Sequence, residues 1–394
     1  MPLSAVLFVD DDESVCEMYK DFSHILTEHY EVGTANSGDE AAAALSSRKF
    51  DVIVTDLTMP GMDGLKFLGH VVQHQPDCAR IIISGYADRL KVARCLFVGH
   101  RYFNKPCDVP GLAELLVRLA SFREIVANNK VRRIIGGIGS LPGPPETFLR
   151  IEKVLENPRV CIQDVSEVVE QDVVVTAKLL QIVNSAQFGI RHKVVSVTEA
   201  VQLVGVEAVR GLVLGLQAFA SYKEHPGKKA PPAELWDQSL RTALLARRIC
   251  RSQHFSLETG DRAFLAALLH DVGRIVIDAN APEERAEVNG FAKRFGISIR
   301  EAEQRRFGAH HGQIGGYLLA LWGIDDEVVR IVQHQESLAT FDGEDKRALA
   351  ALHVAHFSQM NDPSAYPLDL PTLTEFGFPE ANAWVGIAAL AEAH

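Results

Sequence analysis

The stretch Asp-Val-Ile-Val-Thr-Asp-Leu-Thr-Met-Pro-Gly-Met-Asp-Gly-Leu-Lys, residues 51–66, constrains this chain more than any other. A β-branched apolar run ends on Asp56. A loop shaped by Pro60, Gly61 and Gly64 follows, and a helix is predicted to start at about Leu65. Short continuous apolar runs bounded by turn residues are strands buried on both faces of a parallel sheet. Open α/β sheets place their chemistry just outside the carboxyl ends of such strands. On its own Asp56 reads as a turn aspartate. Four other positions within the first 105 residues change that reading.

Residues 5–9 form a second apolar run, which ends in Asp10-Asp11-Asp12-Glu13. A helical pattern follows in Val15, Met18, Tyr19, Phe22, Ile25 and Leu26. Further strands are predicted at 30–34, 52–55, 80–83 and 102–104. Between them lie an Ala-rich helix opened by Ser37-Gly-Asp-Glu40 and helices at 65–72 and 89–97. This alternation predicts a doubly wound, five-stranded parallel sheet. Its carboxyl edge then collects Asp10 and Asp11 from strand one, Asp56 from strand three, Ser84 from strand four and Lys105 from strand five. Three carboxylates so close cannot all stay ionised without a cation. Oxygen-only ligands suit Mg²⁺; Lys105 adds a second positive charge and Ser84 a hydroxyl donor. Such a pocket is suited to placing a phosphoryl group on a carboxylate.

Residues 4–122 resemble the receiver domain of two-component response regulators. The matching residues are Val9-Asp-Asp-Asp12, Asp56-Leu-Thr-Met-Pro-Gly-Met-Asp-Gly64, Ile83-Ser-Gly85 and Lys105-Pro106. The resemblance implies a flavodoxin-like fold with Asp56 as phosphoryl acceptor and a sensor histidine kinase as donor. It implies Mg²⁺ held by Asp10, Asp11, Asp56 and the backbone carbonyl of Thr58. Lys105 would pair with phosphoryl oxygens, Ser84 and Tyr102 would form the switch, and a cis peptide would precede Pro106.

The receiver is assigned to residues 1–122 and a connecting segment to 123–140. Leu112, Leu115, Leu119, Phe122 and Val126 step by three and four, as one seam of a packed helix pair would. The segment from Phe122 to Ile135 is expected to protrude and to support a homodimer formed on phosphorylation. Gly136-Gly-Ile-Gly-Ser-Leu-Pro-Gly-Pro-Pro145 ends it.

From 141 to 360 the strand signals disappear and 3.6-residue periodicity predicts an all-helical domain. Among the predicted helices are 233–252, 258–272, 326–335 and 346–360, with one opened by Ser298-Ile-Arg-Glu301. His270, His310, His311, His334, His353 and His356 all fall in its later part. His270-Asp271 lies inside the apolar run Phe264-Leu-Ala-Ala-Leu-Leu-His-Asp-Val-Gly-Arg274, where an ionised Asp needs a metal or cationic partner. Imidazole and carboxylate on several helices suit a transition-metal phosphohydrolase site.

Residues 138–360 resemble an HDOD domain, a module related to HD-type metal phosphohydrolases. The resemblance rests on residues 176–186 and 196–201, on Leu268-Leu-His-Asp-Val-Gly273, and on His311-Gly-Gln-Ile-Gly-Gly-Tyr-Leu-Leu-Ala-Leu-Trp-Gly323. It implies a vestigial HD site of His270, Asp271, His311, His334 and His356. Several positions depart from the HD pattern: Gln238 stands where relatives carry His, Gln335 follows His334, and His356 replaces a ligating Asp. Arg274, three residues after Asp271 where the family has Lys, is a candidate cation for that carboxylate in a metal-poor pocket. His310 and His353 read as ordinary helix residues. Two functions are open here: protein–protein signalling to a downstream partner, or a metal-dependent phosphodiesterase acting on a cyclic dinucleotide.

The formal net charge of −11 argues against a nucleic-acid-binding surface spread over the chain, and no basic recognition helix follows the receiver. Six scattered cysteines without a CxxC pair read as reduced thiols, and no apolar stretch approaches 18 residues, so a cytoplasmic protein is expected. Residues 361–394 are predicted as a loop and a helix packing on the helical domain.

Overall fold

The computed structural model describes residues 4–26, 28–75, 78–84, 99, 101–122, 131, 146–155, 157, 159–183, 194–221, 233–360 and 367–392. The chain divides into two compact units near residue 144.

The first unit holds β1 (Ser4–Val9), α1 (Glu13–Leu26), β2 (Tyr30–Ala35), α2 (Gly38–Ser47), β3 (Val52–Asp56), α3 (Gly64–His74), β4 (Ala79–Ser84), β5 (Arg101–Asn104) and α4 (Val109–Ser121). All four strand pairings are parallel, in the order β2-β1-β3-β4-β5. This is the doubly wound sheet expected from the sequence. Every residue of β1 and β3 is buried, as runs without polar alternation require. Residues Leu7, Ile53, Phe67, Leu68 and Val71 lie in one apolar cluster between sheet and helices. The expected helix at 89–97 and the connecting segment 123–140, apart from Val131, lie outside the described residues.

Helix starts follow the capping chemistry. Ser37 accepts from the Glu40 amide at 3.2 Å, while the Glu40 carboxylate reaches back to the amide of Asn36 at 2.7 Å, one residue earlier than a standard box. Asp63 caps α3 by accepting from the Lys66 amide at 2.9 Å.

The second unit is helical. Its centre is α10 (Ala233–Ser252), α11 (Leu257–Leu269) and α17 (Lys346–Ser358), which pack on one another. Ahead of them come α5 (Glu146–Leu155), α6 (Ile162–Glu170), α7 (Val173–Val183), α8 (Val197–Val204) and α9 (Val206–Ser221). Around the later part lie α12 (Val272–Asn280), α13 (Pro282–Phe295), α14 (Ile299–Phe307), α15 (His311–Leu321), α16 (Asp326–His334), α18 (Leu370–Glu375) and α19 (Ala381–Glu392). Ser298 caps α14 through the Glu301 amide at 3.1 Å.

Two expectations change. The single helix expected over 258–272 is broken: α11 stops at Leu269, α12 starts at Val272, and His270-Asp271 form the corner between them. The backbone turns there because Gly273 must approach α15 closely, as a Cβ at 273 would lie 1.9 Å from the carbonyl oxygen of His311. The tail is two helices rather than one, with Gly377 (φ +91°) between them, and α19 packs on α10 and α17. Among the described residues no helix is long and apolar enough to cross a membrane.

Candidate functional sites

The carboxyl edge of the sheet brings Asp10, Asp11, Asp56 and Lys105 together. One carboxylate oxygen from each aspartate lies within 4.8 Å of the other two. Asp10 and Asp56 are buried and Asp11 is exposed. Lys105 donates to Asp10 Oδ2 at 2.9 Å and to Asp56 Oδ2 at 2.7 Å. Burial works against its charge, but those two hydrogen bonds outweigh it and push the ammonium above the ordinary lysine range. The peptide between Lys105 and Pro106 is cis.

The loop after β3 closes on the acceptor. Gly61 has φ +74° after Pro60, and the Thr58 amide donates to Asp56 Oδ1 at 3.2 Å. Ser84 ends β4 and pairs with Asn104, while Tyr102 pairs with Ile82. The side chains of Ser84 and Tyr102 lie outside the described residues. The acidic cluster fits a hard divalent cation: every donor is oxygen, one carboxylate faces solvent, and a single ammonium must otherwise offset three carboxylates.

In the helical unit, His270 and Asp271 are 0% and 2% exposed. His270 Nδ1 lies 2.6 Å from the Ala267 carbonyl, which fixes it as the donor and turns Nε2 toward Asp271 Oδ2, 3.6 Å away. Among the described residues neither Nε2 nor Oδ2 has a hydrogen-bond partner, and Arg274 Nη1 stands 3.9 Å from Oδ2. Burial raises the Asp271 carboxyl, but His270 and Arg274 together hold it below the carboxylate range. The ring of His356 meets that of His270 edge-on at 4.5 Å.

The other candidates separate. His311 is tied on both sides: Nδ1 lies 2.7 Å from Glu303 Oε2 and Nε2 lies 3.5 Å from Glu336 Oε1. His334 is half-buried, with Nδ1 on the Arg330 carbonyl and its ring edge-on to Phe341, and it is not part of a converging set of three ligand atoms among the described residues. Gln335 donates to the carbonyl of His270 at 2.9 Å. His353, read as a structural residue, donates from Nδ1 to the Gln335 carbonyl and accepts the Asp369 amide at Nε2. Among the described residues, Asp10, Asp11 and Asp56 form the only set of three whose ligand atoms lie within 4.8 Å of one another, so the His–Asp pocket lacks that convergence.

Glu303 and Glu336 were not expected from the sequence. Glu303 shares a face with Ile299 and Phe307 at spacings of four, so its place on the apolar stripe was a readable signal. Glu336 follows the end of α16 and carries no pattern of its own.

The HDOD domain model matches residues 141–338, half of the sequence. The chain belongs to the HDOD family. A response regulator receiver domain precedes it at residues 6–117. The HDOD chain is similar to an uncharacterized protein of Treponema pallidum, 25% identical over 226 residues, 56% of this chain and 42% of that one. Its receiver is similar to the hydrogenase transcriptional regulatory protein HoxA of Cupriavidus necator, 39% identical over 85 residues, 22% of this chain and 17% of HoxA. The HDOD chain thus spans less than half the length of either relative. In fold it is similar to a solved structure from Shewanella amazonensis SB2B, with TM-score 0.50 and 20% identity, covering 66% of this chain and 94% of that one. An HDOD domain protein from Geobacter sulfurreducens gives TM-score 0.49 and 22% identity, covering 70% and 97%.

Proposed function

We propose that this chain is a phosphorylation-controlled regulator in which Asp56 takes a phosphoryl group from a sensor histidine kinase. The observation that carries the reading is the bridge from Lys105 to both Asp10 and Asp56. Asp56 Oδ attacks phosphorus, the new O–P bond forms as the N–P bond of the phosphohistidine breaks, and the imidazole leaves. Lys105 holds the acceptor carboxylate in place and then pairs with the phosphoryl oxygens. Asp10, Asp11, Asp56 and the Thr58 carbonyl would hold Mg²⁺, which would supply the remaining charge neutralisation. Ser84 and Tyr102 are the switch that follows, and the HDOD domain passes the state on by binding a downstream protein.

The test is incubation of the full chain with Mg²⁺ and a small phosphodonor, followed by intact mass analysis. One acid-labile phosphoryl adduct is expected, and Asp56→Asn abolishes it. An adduct that persists in Asp56→Asn, or none in the parent, overturns the proposal.

The other reading is a metal-dependent phosphodiesterase acting on a cyclic dinucleotide. It is favoured by the unbonded His270 Nε2 and Asp271 Oδ2. It is opposed by the want of a third converging donor among the described residues. Hydrolysis assays on cyclic dinucleotides decide it.

A further inference from the structure

The helical unit buries Asp271 and Glu303 almost completely and Glu336 for the most part. Carboxylates in such surroundings require positive partners, and an HD-type enzyme would supply them with metal ions. Here each has a protein cation beside it. Arg274 Nη1 stands 3.9 Å from Asp271 Oδ2, within ion-pair range but without a hydrogen bond, and Arg285 meets Glu303 at 2.5 Å through Nη1. His311 stands between Glu303 at 2.7 Å and Glu336 at 3.5 Å, with one ring nitrogen toward each.

That last arrangement conflicts with metal ligation. A ligating imidazole offers a lone pair on the nitrogen facing the ion. An imidazole flanked by two carboxylates is most stable with protons on both nitrogens, donating to each side. His270, Asp271 and His356 remain, but among the described residues their ligand atoms do not all lie within 4.8 Å of one another, whereas a catalytic transition-metal site takes three converging protein ligands. His334, the sequence candidate for a further ligand, has Nδ1 on the Arg330 carbonyl and its ring on Phe341.

We propose that the His–Asp pocket of the HDOD domain is a closed ion-pair core in which Arg274 and His311 stand in place of a metal. Glu303 and Glu336 are the residues that hold His311 in that role. The core joins the α11–α12 corner, α13, α14, the start of α15 and the end of α16, so it fixes the shape of the surface the domain presents. This deepens the proposed interaction role and rests on it.

The experiment is thermal unfolding of the full chain in saturating Mg²⁺, untreated, after exhaustive chelation followed by Mg²⁺ readdition, and with added Zn²⁺ or Mn²⁺, alongside elemental analysis. The midpoint of the helical unit is expected to be the same in all three conditions. Arg274→Gln and Glu336→Gln, both at partly exposed positions, are each expected to lower it by about 2–4 °C or more, without rescue by Zn²⁺. Three results would overturn the proposal: a midpoint that falls on chelation, one equivalent of transition metal that Asp271→Asn removes, or variants that leave the midpoint unchanged. Adduct formation at Asp56, measured on the same samples, fails or succeeds independently of this outcome.

Discussion

Gly64 stands so close to Asp56 that a Cβ placed on it would lie 2.0 Å from the Asp56 carbonyl oxygen and 2.8 Å from Leu57 Cα. The start of α3 is therefore packed directly against the acceptor's own backbone, and the two cannot move apart without reshaping the pocket.

Gly64→Ala should force that loop outward. Overpacking of this kind costs about 1–3 kcal/mol, and Asp56 should lose its alignment with Lys105. The expected result is slower adduct formation together with a lower unfolding midpoint for the receiver, read by intact mass and calorimetry.

Lys105→Met removes the ammonium that bridges Asp10 and Asp56. Loss of one preorganised charge partner typically slows a reaction by about 10²–10³-fold, and phosphorylation from a small donor should fall by that order. Because folding raises the Lys105 pKa, its contribution to stability is complete below the ordinary lysine value of 10.5 and is lost only as pH rises through the higher folded value. The parent receiver should therefore keep this contact throughout the neutral range, as urea titrations of parent and variant at pH 7 and pH 9 would show.

The Glu303–His311 pair sets a pH window for the helical unit. Burial opposes the Glu303 charge, but His311 and Arg285 lower its carboxyl from 4.5 to about 2. That contribution is present above pH 4.5 and is lost as pH falls toward 2. Burial likewise opposes the His311 charge, but Glu303 and Glu336 raise it from 6.5 to about 9. Its contribution is complete below 6.5 and is lost as pH rises through 9. The contribution of this pair should be greatest between about pH 4.5 and 6.5 and decline on both sides, as the difference between parent and Glu303→Gln across pH would show. Glu303→Gln should flatten both limbs and cost about 3–5 kcal/mol, the usual result of stranding one member of a buried pair.

Gly273→Ala should disturb the corner at His270-Asp271, since the added Cβ meets the His311 carbonyl at 1.9 Å and the Gly315 amide nitrogen at 2.6 Å. A destabilisation of about 1–3 kcal/mol is expected in chemical denaturation, with receiver phosphorylation unchanged.

The receiver fold was legible because β1, β3 and β4 are short, largely apolar runs that lead to Asp10, Asp56 and Ser84, and β5 leads to Lys105. Parallel connectivity then places those ends on one edge whatever lies between them. Asp10, Asp11, Asp56 and Lys105 could be grouped from sequence for that reason. The helical pocket was less legible. Apolar periodicity runs straight through Leu268, Leu269 and Val272, so nothing in the pattern announces the break at His270; the break comes from Gly273 meeting α15, a tertiary contact. Glu303 sits in Ile-Arg-Glu-Ala-Glu-Gln-Arg-Arg-Phe, which looks solvated, and only its alignment with Ile299 and Phe307 marks it as inward-facing. His334 illustrates the reverse case, a plausible ligand by spacing whose Nδ1 is taken by the Arg330 carbonyl of its own helix.

His353 has a consequence for anyone who would dissect this protein. Its two ring nitrogens are spoken for by the Gln335 carbonyl and the Asp369 amide, so a residue at the heart of α17 is anchored to the chain beyond the last family-matched position, 338. A fragment trimmed at 338 would lose α17 and His353 themselves, and one trimmed at 360 would strip that buried imidazole of its lid and remove α19 from α10 and α17. Fragments of the helical unit for binding or crystallisation should therefore keep α18 and α19.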